Sequence, residues 1–248
     1  MSGHSKWATI KRAKAKTDSA RGKVFTKIIR EITTAAKISG PDPSGNPRLR
    51  LAIEKAKAAN MPNDNVKRAI DKAAGPDAAI MEEITYEGYG PGGVAIMVDA
   101  LTDNKNRTTG EVRNLFVKSG GNLGSAGSVS YMFSRKGSLV FDKSKVDADA
   151  LSMEAIDAGA EDIKLEENTV EIVTAPANFE KVKEALKAKK YEPELADVTM
   201  VPSMTVKLAG DEAQKVLRLV GNLEDLDDVQ AVHGNFDIPD EIIEQETK

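Results

Sequence analysis

Residues Gly137 to Pro202 read GSLVFDKSKVDADALSMEAIDAGAEDIKLEENTVEIVTAPANFEKVKEALKAKKYEPELADVTMVP, and the order of patterns along them decides the architecture. GSLVFDK alternates as a strand, and VDADALSMEAIDAGA has helical spacing and stops at Gly159. EDIKLEE and TVEIVTA are short strands, Phe179, Val182 and Leu186 mark a helix after Pro176, and DVTMVP returns as a strand. Strand, helix, strand, strand, helix, strand is the order of a ferredoxin-like unit. Residues 134–201 are read as one domain.

On either side lie two halves that cannot bury an apolar face alone. EEITYEGYG and GGVAIMVDALTD read as strands joined by a glycine-rich turn. Thr108, with Glu111 three residues on, reads as a capping box opening a helix with Val112, Leu115 and Phe116 inward; Gly120 and Gly121 end it. On the far side MTVKL reads as a strand, AGDEAQKVLRLVGNLED as a helix with Ala213, Val216, Val220 and Leu223 on one stripe, and DVQAVHGNF as a strand. The spacing predicts that 77–133 and 202–240 close into a middle α/β domain, a half-buried sheet with helices on one face, into which 134–201 is inserted.

Before residue 77 the period is 3.6. Val24, Ile28, Ile32 and Ala35 stripe a helix from Arg21 that Gly40 and Pro41 stop. Asn46 caps a second helix with Pro47 in its first turn, burying Leu49, Ala52, Ile53 and Ala56. A third follows MPND, with Val66, Ala69, Ile70 and Ala73 inward and Gly75 as its stop. Residues 1–20 read as an arm. The expected fold class is α+β and multidomain: a three-helix domain over 1–76, then two α/β domains with antiparallel sheets.

The net charge of −4 hides a division of sign. Residues 1–75 hold 11 Lys and 6 Arg against 6 acids, a net of +11, and the remainder holds 18 bases against 33 acids, a net of −15. A unit so charged concentrates polyanions around it, while the acidic remainder repels them. With no cysteine, disulfides, thiolate nucleophiles and cysteine zinc sites are excluded. The basic start carries no apolar h-region, and no run approaches the ~20 apolar residues of a membrane span, so a cytoplasmic location without membrane contact is expected.

The candidate site residues cluster at the start. In GHSKWATIKRAKAK, His4, Lys6, Lys11, Arg12, Lys14 and Lys16 surround Trp7, the only tryptophan. Cationic side chains neutralise phosphates and release counterions, and an indole offers a stacking face. The competing reading docks Trp7 and Ile10 on the helices, with the lysines outward. Arg21, Lys23, Lys27 and Arg30 continue the stripe on the first helix, beside Thr26 and Thr33 as neutral phosphate partners. Arg48, Arg50, Lys55, Lys57, Lys67 and Arg68 spread the field over all three helices. That suits a broad docking surface better than base reading, and no helix-turn-helix signature fixes a recognition helix.

Two glycine-rich stretches, GYGPGG at 88–93 and GGNLGSAGS at 120–128, lack the spacing of a phosphate loop or dinucleotide fingerprint. They read as a hairpin turn and an interdomain hinge, or as loops that approach RNA or protein through Tyr89, Gly90, Pro91, Gly92 and Asn122. TDNKNRT at 102–108 offers Asn104, Asn106 and Arg107 as a polar edge, or equally as capping chemistry. His4 and His233, far apart in sequence, make neither a metal site nor a triad, so no metal, cofactor or catalytic residue is expected. The acidic run from Glu224 to Glu246 reads as solvated surface, or as a competitor for the basic unit whose removal over 237–248 tightens RNA binding.

GHSKWATIK, RGKVFTKIIREI, NMPNDNVKRAI, YEGYGPGGVAIMV, TDNKNRT and GGNLG with SVSYMF, spread over more than half the chain, resemble the YebC/PmpR family. The resemblance implies an N-terminal helical domain, two intertwined α/β domains, and regulation of gene expression without catalysis. It implies two competing targets: promoter DNA in transcription, or rRNA and tRNA on the ribosome, with relief of stalling at proline-rich stretches. Diffuse charge and one tryptophan favour rRNA, which is recognised by shape and backbone. A third class, a small-molecule-sensing regulator, follows from the use of ferredoxin-like units as ligand modules. No residue set names its ligand.

Overall fold

The computed structural model describes Trp7 and residues 18–75, 81–166 and 168–246. Its first helices are α1 (Asp18–Ser39), α2 (Pro47–Ala58) and α3 (Asn63–Ala74). Ile32, Ala35 and Ala36 of α1 close a core with Leu49, Ala52, Ala56, Met61, Ala69 and Ala73. Small alanines let the helices approach closely. Asn46 locks the first corner: its Oδ1 accepts from Leu49 N at 3.0 Å, while Nδ2 donates to the carbonyls of Ala35 (2.8 Å) and Gly40 (2.9 Å). One buried amide thus caps α2 and closes the end of α1, a cap contribution of about 1 kcal/mol.

The chain then runs through β1 (Glu82–Tyr89), β2 (Ala95–Thr102), α4 (Lys105–Lys118), β3 (Asn122–Leu123), β4 (Phe133–Asp142), α5 (Ala148–Ala158), β5 (Asp162–Leu165), β6 (Thr169–Thr174), α6 (Phe179–Ala188), β7 (Leu195–Pro202), β8 (Val206–Lys207), α7 (Gly210–Glu224), β9 (Val229–Gly234), β10 (Phe236–Asp237) and α8 (Asp240–Glu246). One four-stranded sheet has the order β5-β6-β4-β7 with every neighbouring pair antiparallel, the arrangement of a ferredoxin-like unit. Leu139, Phe141, Val170 and Ile172 from its strands meet Leu151, Ala155, Phe179, Val182 and Leu186 from α5 and α6.

The other four-stranded sheet has the order β3-β1-β2-β9, so the chain leaves after β3 and returns at β9 to complete it. Tyr86 pairs with Val98 in β1–β2, and Val98 with Val232 in β2–β9. Val112 and Phe116 of α4 and Val216, Leu217, Val220 and Leu223 of α7 cover one face.

Three expectations are corrected here. The run MTVKL contributes only Val206 and Lys207, paired parallel with Phe236 and Asp237 in a separate ribbon, and the fourth strand of the main sheet is β3. The sheet is covered on both faces rather than one, because Ala95 and Met97 pack against Val129 and Phe133 opposite the helices. Finally, Thr108 does not cap α4. Asn104 does, its side chain accepting from Arg107 N, while Thr108 is buried one turn inside.

Candidate nucleic-acid interface

Spacings of four and three place Lys23, Lys27 and Arg30 on one face of α1. That face meets the turn after α7, with Lys23 still exposed at its edge. Lys23 Nζ lies 3.3 Å from Asp225 Oδ2, Lys27 donates to the Glu224 carbonyl, and Arg30 pairs with Asp228 while donating to the Leu101 carbonyl at 3.2 Å. Of these three members of the stripe, Lys23 and Arg30 pair with the protein's own acids and Lys27 binds a main-chain carbonyl of the same turn. The stripe was legible as charge; its partner turn, 197 or more residues away, was not.

Asp228 is the centre of this junction and is 3% exposed. Its Oδ2 accepts from Arg107 Nη2 (2.7 Å), Thr108 Oγ1 (2.6 Å) and Thr102 Oγ1 (3.1 Å), and Oδ1 takes Arg30. Burial alone would push this carboxyl up, but the hydrogen bonds from Thr108, Arg107, Arg30 and Thr102 outweigh it and hold the group well below the usual carboxylate range. The segment TDNKNRT is therefore built largely as capping and junction chemistry: Asn104 caps, Arg107 also pairs with Asp103 at 2.8 Å, and Asn106 stands exposed.

Trp7 is 5% exposed in the core under α7, and its Nε1 donates to Glu224 Oε2 at 3.0 Å. The ring lies against Gly221, where a Cβ would stand 3.5 Å from it in ordinary van der Waals contact. In this arrangement the indole offers no stacking face. It docks, as the competing reading had it, but on α7 rather than on the three helices. His4, Lys6, Lys11, Arg12, Lys14 and Lys16 lie outside the described residues. Arg21 is exposed near the start of α1. Thr33 is buried against Ala69, with Oγ1 3.4 Å from its carbonyl, and is no phosphate partner here.

What the helical unit presents outward is Lys37, Arg50, Lys57, Lys67, Arg68 and Lys72, all exposed. Arg50 and Arg68 donate to nearby backbone carbonyls, which aims their guanidinium groups without cancelling their charge. Lys55 is engaged inward with Asp197 at 2.7 Å. Arg48 is engaged with Glu31 and Glu83.

The glycine-rich loops are tightly held. Glu87, buried on β1, accepts from the backbone N–H groups of Gly127, Val129 and Ser130, each at 2.8 Å, and Tyr89 Oη donates to the Ser128 carbonyl at 3.0 Å. Burial would raise the Glu87 carboxyl, and those three N–H groups hold it below its ordinary value instead. A Cβ on Gly121 would lie 2.4 Å from the Tyr89 carbonyl, and one on Gly88 would lie 2.6 Å from the Asn122 carbonyl, so both loops touch backbone to backbone. Pro91 and Gly90 are buried, whereas Gly92 and Asn122 are exposed, and Gly92 takes a left-handed φ of 69° in the hairpin turn. The reading of 120–128 as a hinge is corrected: the loop is stapled to β1. Glu87 was missed because one acid in an alternating strand reads as an outward residue.

His233 stands between Thr199 and Asp99, with Nδ1 3.1 Å from Thr199 Oγ1 and Nε2 3.0 Å from Asp99 Oδ2. The connectivity is that of a hydroxyl–imidazole–carboxylate relay, which the sequence did not reveal, but the imidazole is buried where β7 meets β9 and fastens the two sheets together. The acidic C-terminal run also divides. Residues 224–228 meet the basic helix, whereas Glu246 pairs with Arg218 at 2.9 Å and Ile238 and Ile243 belong to the main core. Removing 237–248 would thus damage the core rather than unmask cations. Among the described residues no helix is long and apolar enough to cross a membrane.

Two family models match, described as the TACO1/YebC protein N-terminal domain over residues 5–76 and the TACO1/YebC second and third domain over residues 81–236. A relative from Geotalea uraniireducens, named "Probable transcriptional regulatory protein", is 54% identical over 97% of this chain and 98% of its own length. One of the same name from Treponema pallidum is 54% identical over 98% of this chain and 100% of its own. The crystal structure of a conserved hypothetical protein from Aquifex aeolicus superposes with a TM-score of 0.82 at 50% identity, covering 91% of this chain and 94% of that one. By two matched models that together span nearly its whole length, the chain belongs to the TACO1/YebC family.

Proposed function

We propose that the chain is a non-enzymatic regulator of gene expression that binds nucleic acid through the outward face of its helical unit, with ribosomal RNA as the target. The observation that carries this reading is the division of the unit's cations. Its inner face is neutralised by the turn at 224–228, while Lys37, Arg50, Lys57, Lys67, Arg68 and Lys72 stand exposed over all three helices. Charge dispersed this way contacts phosphates at many points and reads no base edges, which suits a folded RNA surface. On the family resemblance, its action there is relief of stalling at proline-rich stretches. Residues 1–76, 77–133 with 202–240, and 134–201 serve as its three domains, and the cytoplasm is where they act.

A second reading, promoter DNA as target, is favoured by the names its relatives carry. Co-sedimentation of the full chain with ribosomes at moderate salt separates the two. Retention that falls steeply with salt supports the first reading. Protein found only in the free fraction, together with tight sequence-specific duplex binding, refutes it.

A further inference from the structure

Helix α4 interrupts the acidic part of the chain with a basic face, and its middle holds a glycine that the fold does not require. The helix carries Lys105, Arg107, Arg113 and Lys118 against one acid, Glu111. Thr108, Val112 and Phe116 point into the core, so helical spacing sets Asn106, Gly110, Arg113, Asn114 and Val117 along the opposite stripe, every one of them exposed. Arg107 is spent on Asp103 and Asp228, but among the described residues no ion pair involves Lys105, Arg113 or Lys118.

Gly110 sits at the centre of that stripe, and a Cβ built on it would meet nothing within 4 Å. It has no left-handed φ to satisfy. A glycine inside a helix weakens it relative to alanine, chiefly by the entropy lost on folding. Gly88 and Gly121 each make room for something inside the molecule; Gly110 makes room only for something outside it.

We infer that the outward stripe of α4 is a second docking surface for RNA backbone, with Gly110 admitting a sugar–phosphate strand close to the helix while Arg113 and Lys118 flank it and Asn106 and Asn114 offer hydrogen bonds. Positive charge, amide donors and a missing side chain suit a phosphate-bearing strand, and the exposed Val117, 62% accessible, offers an apolar edge to a ribose. The helix adjoins the helical unit at a buried junction, where Arg30 of α1 and Arg107 of α4 grip opposite oxygens of Asp228. This inference rests on the RNA-binding reading given above.

The test uses the full chain and a labelled structured RNA hairpin, read by anisotropy across a salt series. Gly110→Ala should raise the thermal midpoint by about 2 °C yet weaken RNA binding roughly three- to tenfold, because the added methyl stands where the strand would lie. Arg113→Ala with Lys118→Ala should flatten the log–log salt slope by about two units, one per lost phosphate contact. A Gly110→Ala chain that is stabilised and binds as tightly as the parent, with an unchanged slope in the double variant, overturns the inference. An α4-dependent affinity for polyglutamate that displaces the RNA assigns the face to an acidic protein, and likewise overturns it. Failure of the parent reading looks different: the unaltered chain then retains no RNA at physiological ionic strength. If it does retain RNA and only a Lys57, Lys67, Arg68 and Lys72 to Ala variant loses it, the helical unit binds and α4 does not.

Discussion

Replacing Asp228 by Asn tests whether one buried carboxylate holds the basic unit against the main sheet. The change keeps volume but turns two charged acceptors into one neutral acceptor and one donor, and the new NH2 must face either Arg30 or the Thr102–Thr108–Arg107 side. The Arg30 side chain is 20% exposed, so the loss of its charge-assisted bond costs about 2 kcal/mol, and one buried threonine hydroxyl left without its charged acceptor adds about 1. The Arg107 bond adds nothing to this sum, because that guanidinium is 42% exposed and keeps Asp103. A loss of about 3 kcal/mol corresponds to a fall of roughly 6–12 °C in thermal midpoint for a chain of this size. Calorimetry and amide exchange measure it, with α1 and the first turn of α4 losing protection first. The pH dependence adds a second reading. The carboxyl is depressed in the folded state, so its contribution is complete above the unfolded value near 3.9 and is lost as pH falls below that toward the lower folded value. The wild-type chain and the variant should therefore differ fully at pH 7 and converge only in strong acid. An Asp228→Asn protein with unchanged midpoint and unchanged exchange in α1 would refute the reasoning.

Glu87→Gln should cost about 2 kcal/mol by leaving one or two of three loop N–H groups without an acceptor, and amide exchange should quicken at Gly127, Val129 and Ser130 and nowhere in the second sheet. Gly121→Ala should lower the midpoint by several degrees, since a Cβ 2.4 Å from the Tyr89 carbonyl forces backbone apart; a midpoint matching the parent would show that the loops do not touch. Trp7→Phe keeps an aromatic ring but shrinks it in the core and deletes the bond to Glu224, and a loss of about 2 kcal/mol is expected from equilibrium unfolding. Because Trp7 is the only tryptophan, its emission reports the docked state directly; it should be blue-shifted in the free protein and shift red in Gly221→Leu, whose side chain would fill the indole's seat.

Elements whose cause lies in local sequence were legible. The three N-terminal helices, the Asn46 cap and the βαββαβ order of 134–201 follow from spacing, Pro and Gly placement and alternation, all short-range signals. Polar side chains whose partners lie far along the chain were not. Thr108 mimics a cap because Glu111 follows it, yet it lies opposite Asp228, 120 residues away, and that contact decides its role. Glu87 and Asp228 look like ordinary acids until the fold delivers N–H groups to one and two guanidinium groups to the other. The same blindness affected the basic stripe: charge counts said that Lys23, Lys27 and Arg30 seek anions, and the fold supplies those anions from within. The exposed cations of α2 and α3 are not covered by any of the described residues.

The indole at position 7 and its carboxylate at 224 bracket almost the entire polypeptide, and this has a consequence during synthesis. The cationic helices emerge from the exit tunnel first, while the acids that will neutralise α1 are still some 150 codons away. At ordinary elongation speeds that interval is on the order of ten to thirty seconds. Throughout it Lys23, Lys27 and Arg30 face the translating particle that is making the chain without the partners at 224–228 that later engage them, although Arg48 can already meet Glu31 and Glu83.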